Sequence, residues 1–425
     1  MSVFLLCSFL VLCGVGVPIA IALGLSSVAT LVLYTSTPIG LLSESMFSAM
    51  NSFLLVAVPL FILVGQLMER GGVADRIFDF AQSMVGWLPG GLGHVNVASS
   101  VIFGGISGSS VADIASLGAV EIKSMTRHGF DKGYAVGMTL ATSTLSSIIP
   151  PSILMVIAGS IANASIGLLL IAGLVPGLFI AFAFMVYNHI YSVRRGMKAT
   201  PFSFQVFVRT GLRALLPMLT PVILLVGILD GYFTPTEAAA IAVLYTLILA
   251  VFVFRQIGLG ELPSILIGTA RTSGNILFIA ATAKLAGWIF AYDGLPVKVA
   301  ELLSNMSDSP TMVMIIIFLF LVLVGMFMDA IAAMFILIPV LLGPAMKVGI
   351  DPIHFLVVVV VTLTLGLVTP PVGVCLFAVA QVAKMSIEDV IKGAIGPVSV
   401  LMLAIFALVL FPVLTTGPLR LMGLY

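Results

Sequence analysis

Two double prolines, Pro150-Pro151 and Pro370-Pro371, each sit inside an apolar run long enough to cross a bilayer, and no uninterrupted helix passes through either. A proline has no amide hydrogen, so Pro150 and Pro151 leave the carbonyls of Ser146 and Ser147 without helical partners, and Pro370 and Pro371 do the same to Gly366 and Leu367. Each proline also pushes the residue before it toward an extended backbone. In hydrocarbon an unpaired carbonyl is too costly to face lipid, so broken backbone belongs where protein or a bound ion satisfies it. Ser143, Thr144, Ser146, Ser147 and Ser152 flank the first break, and Thr362, Thr364 and Thr369 accompany the second. Surroundings this rich in oxygen suit an ion or solute site.

The 425 residues are 61% hydrophobic and only 8% charged, against roughly 25% charged in soluble domains. This is the composition of an all-α polytopic membrane protein. The net charge of +1 gives no nucleic-acid footprint. Cys7, Cys13 and Cys375, and His94, His128, His189 and His354, have no metal-ligand spacing. No phosphate-binding glycine loop ends in Lys-Ser or Lys-Thr, and no nucleophile–base pair stands out, so an enzyme is the least supported class and no cofactor is expected.

Residues 3–34 read as one retained first span, because no Lys or Arg precedes the apolar run and it continues almost unbroken to Tyr34. Domain boundaries follow from the punctuation by glycine, proline and charge. Residues 1–52 form an N-terminal scaffold span and arm. Residues 53–193 form a first repeat, with an interfacial helix near 73–85, a hairpin of half-length helices at 91–125 and a broken helix at 134–162. Residues 194–270 supply central scaffold helices, including an interfacial piece at 204–215 separate from a span at 216–229. A second repeat, 271–413, carries a hairpin at 310–346 and a broken helix at 353–383, and 414–425 is a C-terminal tail.

The two repeats keep register. Pro150 and Pro370 lie 220 positions apart, Asp113 and Asp329 216, Pro176 and Pro397 221, and Gly72 and Gly294 222. Lys123, Arg127, Lys132, Arg194, Arg195, Lys198, Arg255 and Arg271 mark cytoplasmic loops, whereas 230–237 and 293–308 are lean in Lys and Arg. That assignment points the two breaks in opposite directions. It makes the halves inverted repeats with two re-entrant hairpins, with the N-terminus inside and the C-terminus outside.

Each break offers carbonyls that suit a hard cation and helix-start amides that suit a carboxylate. One sodium is expected among Ser107, Ser109, Ser110, Thr144, Ser146 and Ser147, and a second among Gly325, Met328, Asp329, Gly366 and Thr369. The alternative is that these hydroxyls bond within their own helices. Candidate substrate contacts are Ser109, Asp113, Ser147, Ser152, Lys284 and Gly373. Asp113 and Asp329 equally suit capping of a half-helix, and Lys284, an expensive mid-span charge, equally suits an internal partner. Thr234-Pro235-Thr236-Glu237 is a capping box with proline at the first helical position, which gives Glu237 a structural role.

Residues 104–113, the Ser/Thr-rich run into Pro150-Pro151, Thr234-Pro235-Thr236-Glu237 and Thr369-Pro370-Pro371 together resemble the large membrane subunit (DctM-like) of tripartite ATP-independent periplasmic (TRAP) transporters, over nearly the whole chain. The resemblance implies a sodium-driven importer of organic acids in a bacterial inner membrane, with sialic acid and C4-dicarboxylates among the substrates. It implies an elevator fold, two Na⁺ as coupling ions, a small DctQ-like membrane subunit and a DctP-like periplasmic substrate-binding protein. A stand-alone sodium–carboxylate symporter and an ion channel are the alternatives.

Overall fold

The structure, a computed structural model, describes residues 1–38, 40–199, 201–307 and 309–424. The final residues of the stretch 293–308 and of the tail 414–425 lie outside the described residues. Among the described residues every regular element is helical. Eight of these helices are long and apolar enough to cross a membrane, or nine with the pair Lys132–Ile148 and Ile153–Ala162, which bends by 44° at the first double proline. The second double proline separates Pro352–Gly366 from Val374–Ala383.

The repeat is visible in the backbone. Val73–Val85 and Leu295–Met306 each follow a glycine in the left-handed region, Gly72 at φ 68° and Gly294 at φ 69°. Asp131 and Asp351 cap the helices leading to the breaks, Asp131 accepting from the Tyr134 N–H at 3.1 Å and Asp351 from the Ile353 N–H at 2.9 Å. Asn163 (φ 51°) and Lys384 (φ 49°) end the helices that follow. The stretch after Gly294 therefore folds as the counterpart of the helix Val73–Val85.

In each hairpin the two arms fold back beside each other. In the first, Gly91–Ser107 turns at the left-handed Gly108 and comes back through Ser110–Arg127, so Asn96 of one arm meets Glu121 of the other at 2.7 Å. Its two ends sit together: Asn188 donates to the Gly90 carbonyl at 3.2 Å, and Phe130 stacks on Tyr191 at 6.2 Å. In the second, Pro310–Phe327 and Ala330–Lys347 bring Pro310 and Gly349 close enough that a Cβ on Gly349 would lie 4.0 Å from Pro310 Cγ. The hairpin bases lie toward opposite ends of Ile387–Leu410. Gly393 of that helix packs on Gly133 and Gly137 near the first base. Beyond its other end, Thr415 bonds His354 at 2.8 Å, close to the second.

Two expectations are corrected. Residues 3–34 are not one crossing but two antiparallel helices, Ser2–Gly14 and Ile19–Tyr34, with Phe4 against Tyr34 at 5.2 Å. Gly16 turns left-handed at φ 91° and Pro18 precedes the second helix, so the run has a reversal inside it. The first helix starts on Asp293, which accepts from the Ser2 hydroxyl at 2.7 Å and the Ser2 N–H at 3.1 Å. The N-terminus therefore sits beside Asp293, at the end of the helix Leu262–Tyr292. The second correction concerns 204–229, which is one 26-residue helix that runs on through Gly211, Pro217 and Pro221, so the interfacial piece and the span are continuous.

The Ser2 hydroxyl and backbone N–H hold the Asp293 carboxyl below the usual carboxylate range. A depressed carboxylate stabilises the fold at neutral pH, and that contribution is lost as pH falls through its folded-state value. In oriented vesicles of a cysteine-free background, an N-terminal epitope and cysteines placed at Ser36 and Leu424 should all be reached by impermeant reagents from one side. An N-terminal epitope on the side opposite position 36 would refute the N-terminal hairpin.

Candidate functional site

The first sodium set is brought together. The Ser110 N–H donates to Ser147 Oγ at 3.0 Å, and the two hydroxyls lie 2.7 Å apart, joining hairpin tip to broken helix. Ser146 Oγ stands 3.0 Å from Asp113 Oδ2 and 3.1 Å from the Ser100 carbonyl. Ser109 caps the short second arm through the Ala112 N–H at 3.4 Å, and Ser107 Oγ accepts from the Ser109 N–H at 3.5 Å. Thr144 and Ser143 bond back to the carbonyls of Ala141 and Leu140 at 2.6 and 2.7 Å, so their hydroxyls serve their own helix. Ser152 donates to the Ser147 carbonyl, one of the two that the prolines release, and caps Ile153–Ala162.

The second set is tighter and poorer in side-chain oxygen. Gly325 and Gly366 cross so closely that a Cβ on Gly325 would lie 3.3 Å from the Gly366 Cα. The Val372 N–H reaches the Met326 carbonyl at 3.3 Å, and the Leu367 carbonyl, expected to be free, accepts from the Cys375 N–H at 3.0 Å. Thr369 donates to the Leu365 carbonyl at 3.0 Å. Met328 is the extended residue that ends Pro310–Phe327. Asp329 caps Ala330–Lys347, accepting from the Ile331 N–H at 3.0 Å.

The two aspartates thus differ. Asp329 is a cap, whereas Asp113 ends its short helix, is 2% exposed, and turns one oxygen to Ser146.

A cavity of about 420 Å³ lies where the hairpin tips face each other. Ser107–Ser110, Ser147, Asp329–Ile331, Leu367 and Val374 line it, with Gln66, Glu69 and Thr272 across from them. Three helix starts open on it, at Ile153, Ala330 and Val374, beside the tip amide of Ser110. Helix starts carry partial positive charge and so favour an anion; here Ser152 and Asp329 cap the starts at Ile153 and Ala330, and the Ser110 N–H donates to Ser147. No lysine or arginine is among the lining residues.

Lys284 is elsewhere. It donates to Ser48 at 3.2 Å and lines a second cavity of about 420 Å³ with Asn163 and Trp288. Gly373 lies next to the lining residue Val374, at φ 25°. Ser152 and Asp113 stand behind the wall rather than on it. The opposite wall went unread in the sequence. Its signal was Gln66 and Glu69, polar residues three apart on one face of an otherwise apolar crossing.

A many-helix membrane protein whose hairpins and broken helices meet at a hydroxyl-lined cavity has the arrangement of a transporter, not of an enzyme. The chain belongs to the DctM component family of the tripartite ATP-independent periplasmic transporters, whose family model matches residues 6–414. It is 37% identical over 402 residues to the sialic acid TRAP transporter large permease protein SiaM of Vibrio cholerae, covering 94% of each chain. It is 35% identical over 392 residues to the C4-dicarboxylate TRAP transporter large permease protein DctM of Pseudomonas aeruginosa, covering 92% of each. Its fold also resembles that of Neisseria gonorrhoeae MtrF, reported in connection with a class of antimetabolite efflux pumps. There the TM-score is 0.57 at 14% identity, covering 90% of this chain and 83% of that one.

Glu237 takes its structural place, accepting from the Thr234 N–H and hydroxyl, both at 2.8 Å, while the Glu237 N–H donates back to Thr234 Oγ1 at 3.3 Å. Glu237→Ala should lower the amount of folded protein in detergent and leave transport per folded molecule unchanged. Loss of transport at normal abundance would overturn the capping role.

Proposed function

We propose that this chain is the translocating subunit of a sodium-driven importer of an organic acid, of the sialic acid or C4-dicarboxylate class, in a bacterial inner membrane. The convergence of three helix starts on one hydroxyl-lined cavity carries this reading. Backbone amides there would hold the carboxylate, with Ser109 and Ser147 as the nearest hydroxyls. Sodium one would bind among Ser107, Ser109, Ser110, Thr144, Ser146 and Ser147. Sodium two would bind among Gly325, Met328, Asp329, Gly366 and Thr369, largely through backbone carbonyls, since hydroxyls are scarce there.

The two re-entrant hairpins and both broken helices would move as one elevator body past the scaffold that includes the helices Phe53–Arg70 and Leu262–Tyr292. A periplasmic DctP-like binding protein would deliver the acid, and a small DctQ-like membrane subunit would brace the scaffold. The face bearing Arg194, Arg195 and Arg255 is the cytoplasmic one in this reading, which puts both termini in the periplasm.

The driving force is adequate. A potential of about 100 mV contributes about 2.3 kcal/mol for one net charge, and a tenfold sodium gradient adds about 1.4 kcal/mol per ion. Two sodium ions with one monoanion give about 5 kcal/mol, enough for accumulation on the order of a thousandfold.

Uptake should be reconstituted in proteoliposomes with the small subunit, a cognate binding protein and labelled acid, and should collapse when the inward sodium gradient is removed. Uptake indifferent to sodium would refute the coupling, and uptake by this chain alone would favour the stand-alone symporter. Ser147→Ala removes the acceptor of the Ser110 N–H without adding bulk, and a hydrogen bond of this kind is worth about 1 kcal/mol. It should raise the sodium concentration for half-maximal uptake severalfold at near-normal protein abundance. Unaltered sodium activation would exclude Ser147 from the site.

A further inference from the structure

The first hairpin contains a charged residue that neither the cavity nor the sodium sets use. Glu121, on its second arm, is 1% exposed. One carboxyl oxygen, Oε2, accepts from the Asn96 amide at 2.7 Å, the Thr139 hydroxyl stands beside the carboxyl group, and Oε1 has no hydrogen-bond partner. Asn96 has nothing more to give. Its second amide hydrogen goes to Thr139 Oγ1 at 2.7 Å, and its carbonyl oxygen accepts from Thr142 at 2.6 Å.

No cation compensates Glu121. None of the ion pairs among the described residues involves it. The elements packed around this arm turn their own titratable groups elsewhere. His94 lies tilted against His189 at 6.0 Å, the Tyr134 hydroxyl bonds Asn188 at 3.1 Å, and Lys123, Lys132 and Lys384 are exposed. The buried Cys375 thiol comes from the helix after the second break. The charged side chain that does act on Glu121 is another carboxylate, Asp113, displaced along the same arm by a wide turn at Ile114–Gly118.

A lone carboxylate taken out of water costs several kcal/mol unless it is paired, and a neutral amide and a neutral hydroxyl do not meet that cost. A carboxyl oxygen that attracts no donor is where a proton would sit. We propose that Glu121 is a proton-binding site of the first hairpin, holding its proton at neutral pH in the packed, transport-competent state. Ionising Glu121 would place an unpaired charge between the hairpin arms and loosen the packing that positions the tip. Alkaline pH should therefore inhibit this protein through a residue outside the cavity. The inference is separate from the sodium reading, because it concerns a group that touches no proposed sodium ligand.

The test compares wild type with Glu121→Gln, the neutral shape-match, in lipid. Difference infrared spectra at neutral pH should show a protonated-carboxyl C=O band in wild type that is lost in the variant. Uptake at a fixed sodium gradient should fall severalfold on the alkaline side in wild type and stay flat in the variant. Loss of an ionised-carboxylate band instead, or an alkaline fall-off identical in both proteins, would overturn the proposal. So would a Glu121→Gln chain that fails to fold, since the neutral side chain is the one the packed state is inferred to contain. Should wild type show no sodium-dependent uptake at all, the sodium reading fails while the infrared arm still decides this one.

Discussion

Everything in this fold depends on the rule that backbone polar groups must be paired where water is absent. Two double prolines violate helical pairing in the middle of apolar runs, and the protein answers each violation by surrounding it. Ser152 takes up the Ser147 carbonyl, the Ser110 amide closes on Ser147, and Cys375 supplies an N–H to Leu367. Each of these freed carbonyls is met from within its own broken crossing, and the hairpin tip seats beside it through the Ser110 N–H to Ser147 in one half and the Val372 N–H to the Met326 carbonyl in the other. Those seats place helix starts and hydroxyls at a shared cavity, and the family's transport function follows from what such a cavity attracts.

Close packing makes this possible. Gly104 lies against the Ser146 backbone and Gly325 against Gly366, so each hairpin approaches its broken helix where a side chain would hold it off. The same economy crosses between the repeats at Gly133, Gly137 and Gly393. Rigid contact of this sort would let hairpins and broken helices act as one body, as the proposed elevator movement requires.

Much of this was legible in the sequence because prolines, glycines and capping residues act locally. The breaks, the hairpin turns, the 220-residue register and the Thr234–Glu237 box all rest on such residues. The N-terminal reversal was written in the same signs, Gly14, Gly16 and Pro18, but apolarity on both sides made two short helices look like one long crossing. Pro217 and Pro221 misled in the opposite sense, because a long helix can carry prolines through when its flanks are otherwise continuous. What stayed hidden was tertiary. The chain alone does not say that Lys284 faces Ser48, that Gln66 and Glu69 complete the cavity wall, or that Glu121 is sealed between two hairpin arms. Each depends on which helices become neighbours.

The central claim is that two opposed hairpins and two broken crossings form a single site for an anion and its sodium ions. A cryo-electron microscopy map of the complex in lipid, with sodium and a transported carboxylate present, tests it most directly. The account predicts ligand density in the cavity between the Ser107–Ser110 tip and Asp329, with the carboxylate at the helix starts. Density confined to the Lys284 cavity, or either crossing traced as one unbroken helix, would contradict it.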